Sequence, residues 1–143
     1  MIIKYTRQSL RWLKKYKIAE EKLTASIISL CKKEGRCGSL RIKINIMPRA
    51  IDSNYYYWFN TLNVAVESRK TDPRYLKIKR VCRNLLHELR HFIQFRIHRK
   101  PFVLSYSMRD MTLLNSKYWN DPDEVDARRY EKRKLTYLYK KII

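Results

Sequence analysis

The sequence predicts an α+β domain with N-terminal helices, a small mixed or antiparallel sheet of about three strands, a long helix after the sheet and a C-terminal helix. Three observations predict this class. Apolar residues recur at helical steps before residue 35, alternate with polar residues over 39–47, and return to helical steps after residue 73. No repeat or change of composition marks a boundary, so we expect one domain over residues 1–143.

The N-terminal third is expected to form helices followed by a strand. Residues 6–34 favour one broken helix or two consecutive helices, and Gly35 and Gly38 supply the stop. The strand over 39–47 is the clearest in the sequence, because apolar and polar side chains alternate and Pro48 ends it. Its apolar members are Leu40, Ile42, Ile44 and Ile46, and its polar members are Arg41, Lys43 and Asn45.

A second alternating pattern follows the turn predicted around Ser53. It is carried by Leu62, Val64 and Val66. We therefore expect one or two further strands, joined through short loops in an antiparallel arrangement.

Two helices are predicted in the second half of the chain. Pro73 suits the first position of a helix that runs to about Arg99, before Pro101. Residues 100–119 are expected to be irregular or to contain a short helix. Asp121 is the predicted N-cap of a basic amphipathic helix that extends to about Lys140.

The charge balance favours a polyanionic partner. The chain has 33 Lys and Arg residues against 13 Asp and Glu residues, a formal charge of +20, and nucleic acid is the commonest intracellular polyanion. The charges are dispersed along the chain, however. No zinc finger, RNP sequence or basic zipper is present, so a solubilising surface explains the charge equally well.

The cysteines and the N-terminus indicate an intracellular protein. Three cysteines cannot form a disulfide framework, and Cys31 and Cys37 could pair or remain as buried thiols. No uncharged apolar run approaches the roughly 18 residues that span a bilayer. The N-terminus also lacks the apolar core of a signal peptide. We therefore expect a cytoplasmic protein with no membrane partner.

The long predicted helix contains the motif HExxH, as His87-Glu88-Leu89-Arg90-His91. Two histidines four positions apart on a helix differ by about 40° in azimuth and about 6 Å in rise, so both imidazoles can reach one ion. Glu88 then lies beside that ion, where it can act as general base towards an attacking water. The flanking residues are apolar, and burying a carboxylate with two imidazoles is costly without a compensating cation. We expect one zinc ion per chain.

A zinc site needs a third protein ligand, and the start of the C-terminal helix supplies the candidates. Glu124 is the preferred one, with Asp123, Asp126 and Asp110 as the alternatives. Glu124 also suits a second role. It is the third residue after the predicted N-cap Asp121, so its carboxylate could instead close a capping box.

Other polar residues around the motif have less defined roles. His98 is excluded as a ligand, because it lies about 10 Å beyond His91 along the helix axis. Gln94 shares the face of His91, and is either a hydrogen-bond partner of the site or an ordinary polar residue. A group should stabilise the oxyanion that develops during acyl transfer. The candidates for it are Tyr106, Tyr118, Tyr130 and an arginine.

The two motifs together resemble zincin metallopeptidases of the gluzincin type, in a minimal form. The matching stretches are His87-Glu88-Leu89-Arg90-His91-Phe92-Ile93-Gln94 and Asp123-Glu124-Val125-Asp126-Ala127-Arg128-Arg129-Tyr130. Over roughly residues 60–130 the chain is similar to small zincin-like proteins of phages and mobile elements, and to the peptidase domain of ImmA/IrrE-type proteins. The ImmA-like proteins usually have Gly where Arg90 stands.

The resemblance implies a minimal zincin-like fold and a set of site residues. In it His87, His91 and Glu124 hold the metal and Glu88 is the general base. Gln94, Asp126 and Tyr130 lie around the metal or the substrate. An edge strand of the sheet lies along the substrate, and Leu62, Val64 and Val66 mark the candidate strand, to which an extended peptide would add.

The expected function is zinc-dependent hydrolysis of peptide bonds in a protein or peptide substrate. Nucleic acid is a further candidate partner through the basic surface. Two other functions remain open from the sequence. One is a nucleic-acid-binding protein that keeps a zincin fold without useful catalysis, and the other is a toxin or structural protein of a virus or mobile element.

Overall fold

The computed structural model describes residues 1–101 and 119–143. The elements in chain order are strand β1 (Ile2–Tyr5), helices α1 (Arg7–Lys15) and α2 (Glu20–Lys32), strands β2 (Arg41–Met47), β3 (Asn54–Tyr56) and β4 (Thr61–Ala65), and helices α3 (Arg74–Phe92) and α4 (Pro122–Ile142). A 3-10 turn, Tyr57–Phe59, joins β3 to β4, and a π-helical segment, Ile93–Ile97, continues α3. The α+β class is confirmed. The expectation for residues 100–119 falls almost entirely on 102–118, outside the described residues.

The sheet is mixed and has four strands in the order β1-β2-β4-β3, not about three strands. β1 and β4 each pair with β2 in parallel, and only β3 pairs antiparallel, with β4. The antiparallel arrangement predicted for the sheet is therefore wrong for β2 and β4. The chain passes through β3 before it reaches β4, so β4 runs in the same direction as β2.

The prediction that residues 61–66 form the substrate edge is wrong. β4 is an interior strand, hydrogen-bonded to β2 on one side and to β3 on the other. Leu62 and Val64 are fully buried beneath the helices, and Val66 is nearly so. With both rows of backbone groups used for pairing, β4 has no free edge for a peptide. The outer strand on that side is β3.

One face of the sheet carries the core and the other is polar. Ile42, Ile44 and Ile46 of β2 point towards the helices, as their alternation predicts. On the opposite face, Asn45 donates to Asn63 over 2.9 Å, and Asn63 donates to Asn54 over 2.9 Å. The buried cluster draws residues from β2, β4 and all four described α-helices. α3 packs between the sheet and α4.

The helix ends agree closely with the sequence pattern. α1 and α2 are two consecutive helices, and α3 begins at Arg74, one residue later than predicted, with Pro73 as its N-cap. Asp121 caps α4, accepting a hydrogen bond from the Asp123 backbone N–H. The cysteines Cys31, Cys37 and Cys82 are buried thiols. Within the described ranges, no helix combines the length and the apolar composition needed to cross a membrane.

Candidate metal centre

α3 and α4 bring the two predicted histidines together with Glu124. His87 and His91 lie one turn apart on the face of α3 that packs against α4, and Glu124 lies in the first turn of α4. Glu124 is held there because α4 starts at its Asp121 cap and Ala127, one turn on, is fully buried against neighbouring elements. One nitrogen from each histidine and a carboxylate oxygen of Glu124 all lie within 4.8 Å of one another.

The Glu124 carboxylate bridges the two imidazoles. Its Oε2 lies 3.0 Å from Nε2 of His87, and its Oε1 lies 3.0 Å from Nε2 of His91. The ring centroids of the histidines are 5.0 Å apart. The carboxylate is therefore not folded back onto its own helix to close a capping box, which was the alternative role open to Glu124.

The other nitrogen of each imidazole is held by a hydrogen-bond acceptor. Nδ1 of His87 lies 2.9 Å from Oε2 of Glu131, and Nδ1 of His91 lies 2.9 Å from Oε1 of Gln94. The Gln94 amide nitrogen already donates to the Asp123 carbonyl and to Asp126, so its oxygen has to face His91. Both Nδ1 atoms are therefore donors, and each neutral imidazole directs its Nε2 lone pair towards Glu124.

This arrangement places acceptors against acceptors. Two Nε2 lone pairs face the two oxygens of one carboxylate, and such contacts are repulsive unless a proton or a cation lies between them. When protons fill that role, the pKa values of both histidines rise and that of Glu124 falls. Two imidazole nitrogens and a carboxylate oxygen also form a common ligand set for catalytic zinc. The residues present therefore fit a divalent metal ion.

Glu88 is the buried acid of the site. Its side chain is almost fully enclosed on α3. Burial raises the pKa of Glu88 to about 7, against the opposing effects of His91, His87 and a backbone hydrogen bond from Tyr55. A carboxyl group with a pKa near neutrality can both accept and return a proton at the pH of a cell, as a general base must.

Gln94 and Asp126 form a supporting network behind His91. Asp126 accepts hydrogen bonds from Nε of Arg90, at 2.7 Å, and from the Gln94 amide, at 2.9 Å. Nη1 of Arg90 also lies 3.1 Å from Oε2 of Glu34, a charge contact whose angles fall outside hydrogen-bond geometry. Arg90 thus fixes Asp126, Asp126 fixes the Gln94 amide, and Gln94 fixes the orientation of His91. Of the two roles that the sequence left open for Gln94, the structure shows a hydrogen-bond partner of His91.

Sequence reasoning did not assign a role to Glu131. Its carboxylate accepts a hydrogen bond from Nδ1 of His87. Carboxylates commonly accept such a bond from the ring nitrogen of a metal-binding histidine that does not contact the metal. A signal for it exists in the sequence. Glu131 lies seven positions after Glu124, two helical turns on, and hence on the same face of α4.

The other candidates lie elsewhere or outside the described residues. Asp123 pairs with Lys100 at 2.8 Å, and His98 pairs with Glu34 at 3.2 Å, in accordance with its exclusion as a ligand. The Tyr130 ring lies 4.9 Å from the Arg90 guanidinium, and its hydroxyl has no hydrogen-bond partner among the described residues. Burial raises the pKa of the Tyr130 hydroxyl. Asp110, Tyr106 and Tyr118 fall in the part of the chain that is not described.

Comparison of the chain with protein-family models, with curated proteins and with solved structures found no match. The geometry of the site is therefore what indicates the function of the chain.

Proposed function

We propose that the protein is a zinc-dependent peptidase of minimal zincin-like fold in which His87, His91 and Glu124 hold the metal. The observation that carries this proposal is the convergence of two histidine Nε2 atoms on one carboxylate, with both Nδ1 atoms already held by other acceptors. When bound, a zinc ion would supply Lewis-acid polarisation and lower the pKa of a coordinated water.

Glu88 is the general base in this proposal. Its carboxylate takes a proton from the attacking water as the water oxygen bonds to the peptide carbonyl carbon. The same proton passes to the amine nitrogen as the carbon–nitrogen bond breaks. The enclosed position of Glu88 and its pKa of about 7 support this role, because both transfers can then occur near neutral pH.

We infer that β3, not β4, is the strand along which a peptide substrate lies. β3 is an outer strand of the sheet, and the hydrogen bond from the Tyr55 backbone to Glu88 puts this strand next to the proposed base. An extended peptide that pairs with an edge strand is held by main-chain hydrogen bonds, and its scissile bond would lie near Glu88.

The experiment that tests this function uses Glu88→Gln, which keeps the shape of the side chain but removes the base. Zinc content should stay at one per chain, while hydrolysis of an unfolded protein such as casein should fall by at least about a hundredfold. His87→Ala serves as the comparison, because it should lose both the metal and the activity. Undiminished hydrolysis by Glu88→Gln, or no zinc-dependent hydrolysis by the wild type, would contradict the proposal.

A further inference from the structure

A second candidate site lies at the other end of α3. A pocket of about 790 Å³ opens beside α1, where the chain leaves β2 and β4. These two strands are parallel, and pockets outside the carboxyl ends of parallel strands are common ligand sites. Lys77 of α3 lines the pocket and precedes His87 by ten residues, about 15 Å along the helix axis. The pocket is therefore separate from the metal centre.

The pocket has a cationic lining without a lining acid. Six basic residues from four different segments contribute to it: Arg11, Lys15, Arg49, Arg69, Lys70 and Lys77. Within residues 1–101 and 119–143, none of these six side chains forms an ion pair with a carboxylate. The acidic side chains in the segment between β4 and α3 pair with arginines that do not line the pocket. Asp72 pairs with Arg80 at 2.6 Å, and Glu67 approaches Arg83 at 3.9 Å.

A buried aromatic pair lines the same pocket. The Trp12 and Tyr16 rings lie 4.6 Å apart, and Trp12 is only 6% exposed. The Trp12 indole N–H has no hydrogen-bond partner among the described residues. The pocket therefore combines an aromatic wall with cationic side chains.

We propose that this pocket binds phosphate groups of a nucleic-acid strand. Arginine and lysine side chains are the usual partners of phosphate oxygens, and the six that line this pocket come from four segments of the chain. Along a nucleic-acid strand, successive phosphates carry one negative charge per about 3.4 Å. This charge density suits a pocket that is lined by six cations. The pocket holds only six of the 33 basic residues. A polymer that extends beyond the pocket would meet further positive surface, which a mononucleotide would not reach.

The test compares two pairs of neutralising substitutions that change the net charge equally. Arg49→Gln with Arg69→Gln removes two cations from exposed positions of the pocket, and Lys22→Gln with Arg36→Gln removes two exposed cations elsewhere. Binding of a labelled 20-nucleotide single strand is measured by fluorescence anisotropy over a series of salt concentrations. The pocket pair should weaken binding at least tenfold and flatten the slope of log K against log salt by about 1.4. The other pair should weaken binding less than about twofold.

Further measurements identify the ligand and distinguish this site from the candidate metal centre. Removal of metal with a chelator should leave nucleic-acid binding unchanged. Equal effects of the two substitution pairs would overturn the proposal. So would binding of polyglutamate, ATP or inorganic phosphate as tight as that of the oligonucleotide.

Discussion

At the scale of single residues, the geometry of the candidate metal centre depends on groups outside the proposed ligand set. In the neutral histidines, Glu131 and Gln94 keep the proton on Nδ1, which leaves Nε2 of both rings free to bind a metal ion. Gln94 could be predicted from its spacing to His91 within one helix. The role of Glu131 depends on how α4 packs against α3, which the local sequence of either helix does not specify.

Replacing Glu131 should therefore weaken metal binding without abolishing it. Glu131→Met keeps a side chain of similar length but removes the acceptor of the His87 Nδ1–H. We expect a loss of about 10–100-fold in zinc affinity, measured by competition with a chromophoric chelator. Glu21→Met, at an exposed acid of α2, is the matched control and should keep wild-type affinity. Equal affinity of both variants would contradict the role assigned to Glu131.

The protonation of the site predicts a pH dependence of the metal-free protein. Burial lowers the pKa of His87, but the hydrogen bonds to Glu124 and Glu131 outweigh it and raise the pKa to about 10. A raised pKa means that the folded state binds the proton more tightly than the unfolded state. The resulting stability is fully present below about pH 6.5, the unfolded pKa, and is lost as the pH rises towards 10.

Thermal unfolding with a chelator should therefore show a melting temperature that falls between pH 6.5 and 10. In excess zinc the fall should be smaller, because the metal binds deprotonated histidines. His87→Gln removes the group whose pKa is raised, so the melting temperature of this variant should depend less on pH in the presence of chelator. A melting temperature that is constant or rises over this window in the wild type would contradict the assigned protonation.

At the scale of elements, Arg90 connects α3 with α4 and with the segment that follows α2. It lies on α3, contacts Asp126 on α4, and approaches Glu34 just after α2. Its own side chain is only 11% exposed. The charge that the sequence places inside the motif therefore has a structural role in positioning α4, and with it Glu124.

Removing this contact should destabilise the fold more than removing an exposed arginine of the same helix. Arg90→Met leaves the carboxylates of Glu34 and Asp126 without their shared cation, and we expect a loss of about 1–3 kcal/mol in the free energy of unfolding. Arg83→Met is the control, since its contact with Glu67 is long and exposed, and should cost less than about 0.5 kcal/mol. Urea denaturation measures both. Equal losses would show that Arg90 does not join the helices.

The helices could be predicted from the sequence far better than the sheet order. Helical periodicity is local, so the pattern gave the positions of α3 and α4 within a few residues. β2 pairs with β4, although β3 lies between them in the sequence. β3 itself has only three residues and shows no alternating pattern that would predict a strand. β1 has only four residues, and it pairs with a strand almost forty residues away. The identity of the edge strand follows from these non-local pairings, and for that reason the choice of β4 failed.

At the scale of the whole molecule, the two candidate sites have opposite electrostatic character. The metal centre gathers Glu88, Glu124 and Glu131 in a chain with only 13 acids, whereas the pocket near α1 gathers cations without a lining acid. They lie towards opposite ends of α3. Separate variants can therefore test them without affecting each other.

A bound metal would also connect distant parts of the chain. His87 and Glu124 are 37 positions apart in sequence, so an ion between them would fix the packing of α4 against α3. Because it binds only the folded state, zinc at a hundred times its dissociation constant should add about 2.7 kcal/mol to the stability of the wild type, measured by denaturant titration. Glu124→Ala should gain little. Equal stabilisation of the two proteins would place the metal elsewhere.

The proposed function requires that His87, His91 and Glu124 share one metal ion. The most direct test is anomalous diffraction at the zinc absorption edge, on crystals of the wild-type protein grown with equimolar zinc. The account predicts one peak, about 2.0–2.2 Å from Nε2 of each histidine and from a Glu124 carboxylate oxygen. Well-ordered side chains of these three residues with no peak between them, or a peak coordinated by other residues, would contradict the proposed metal site.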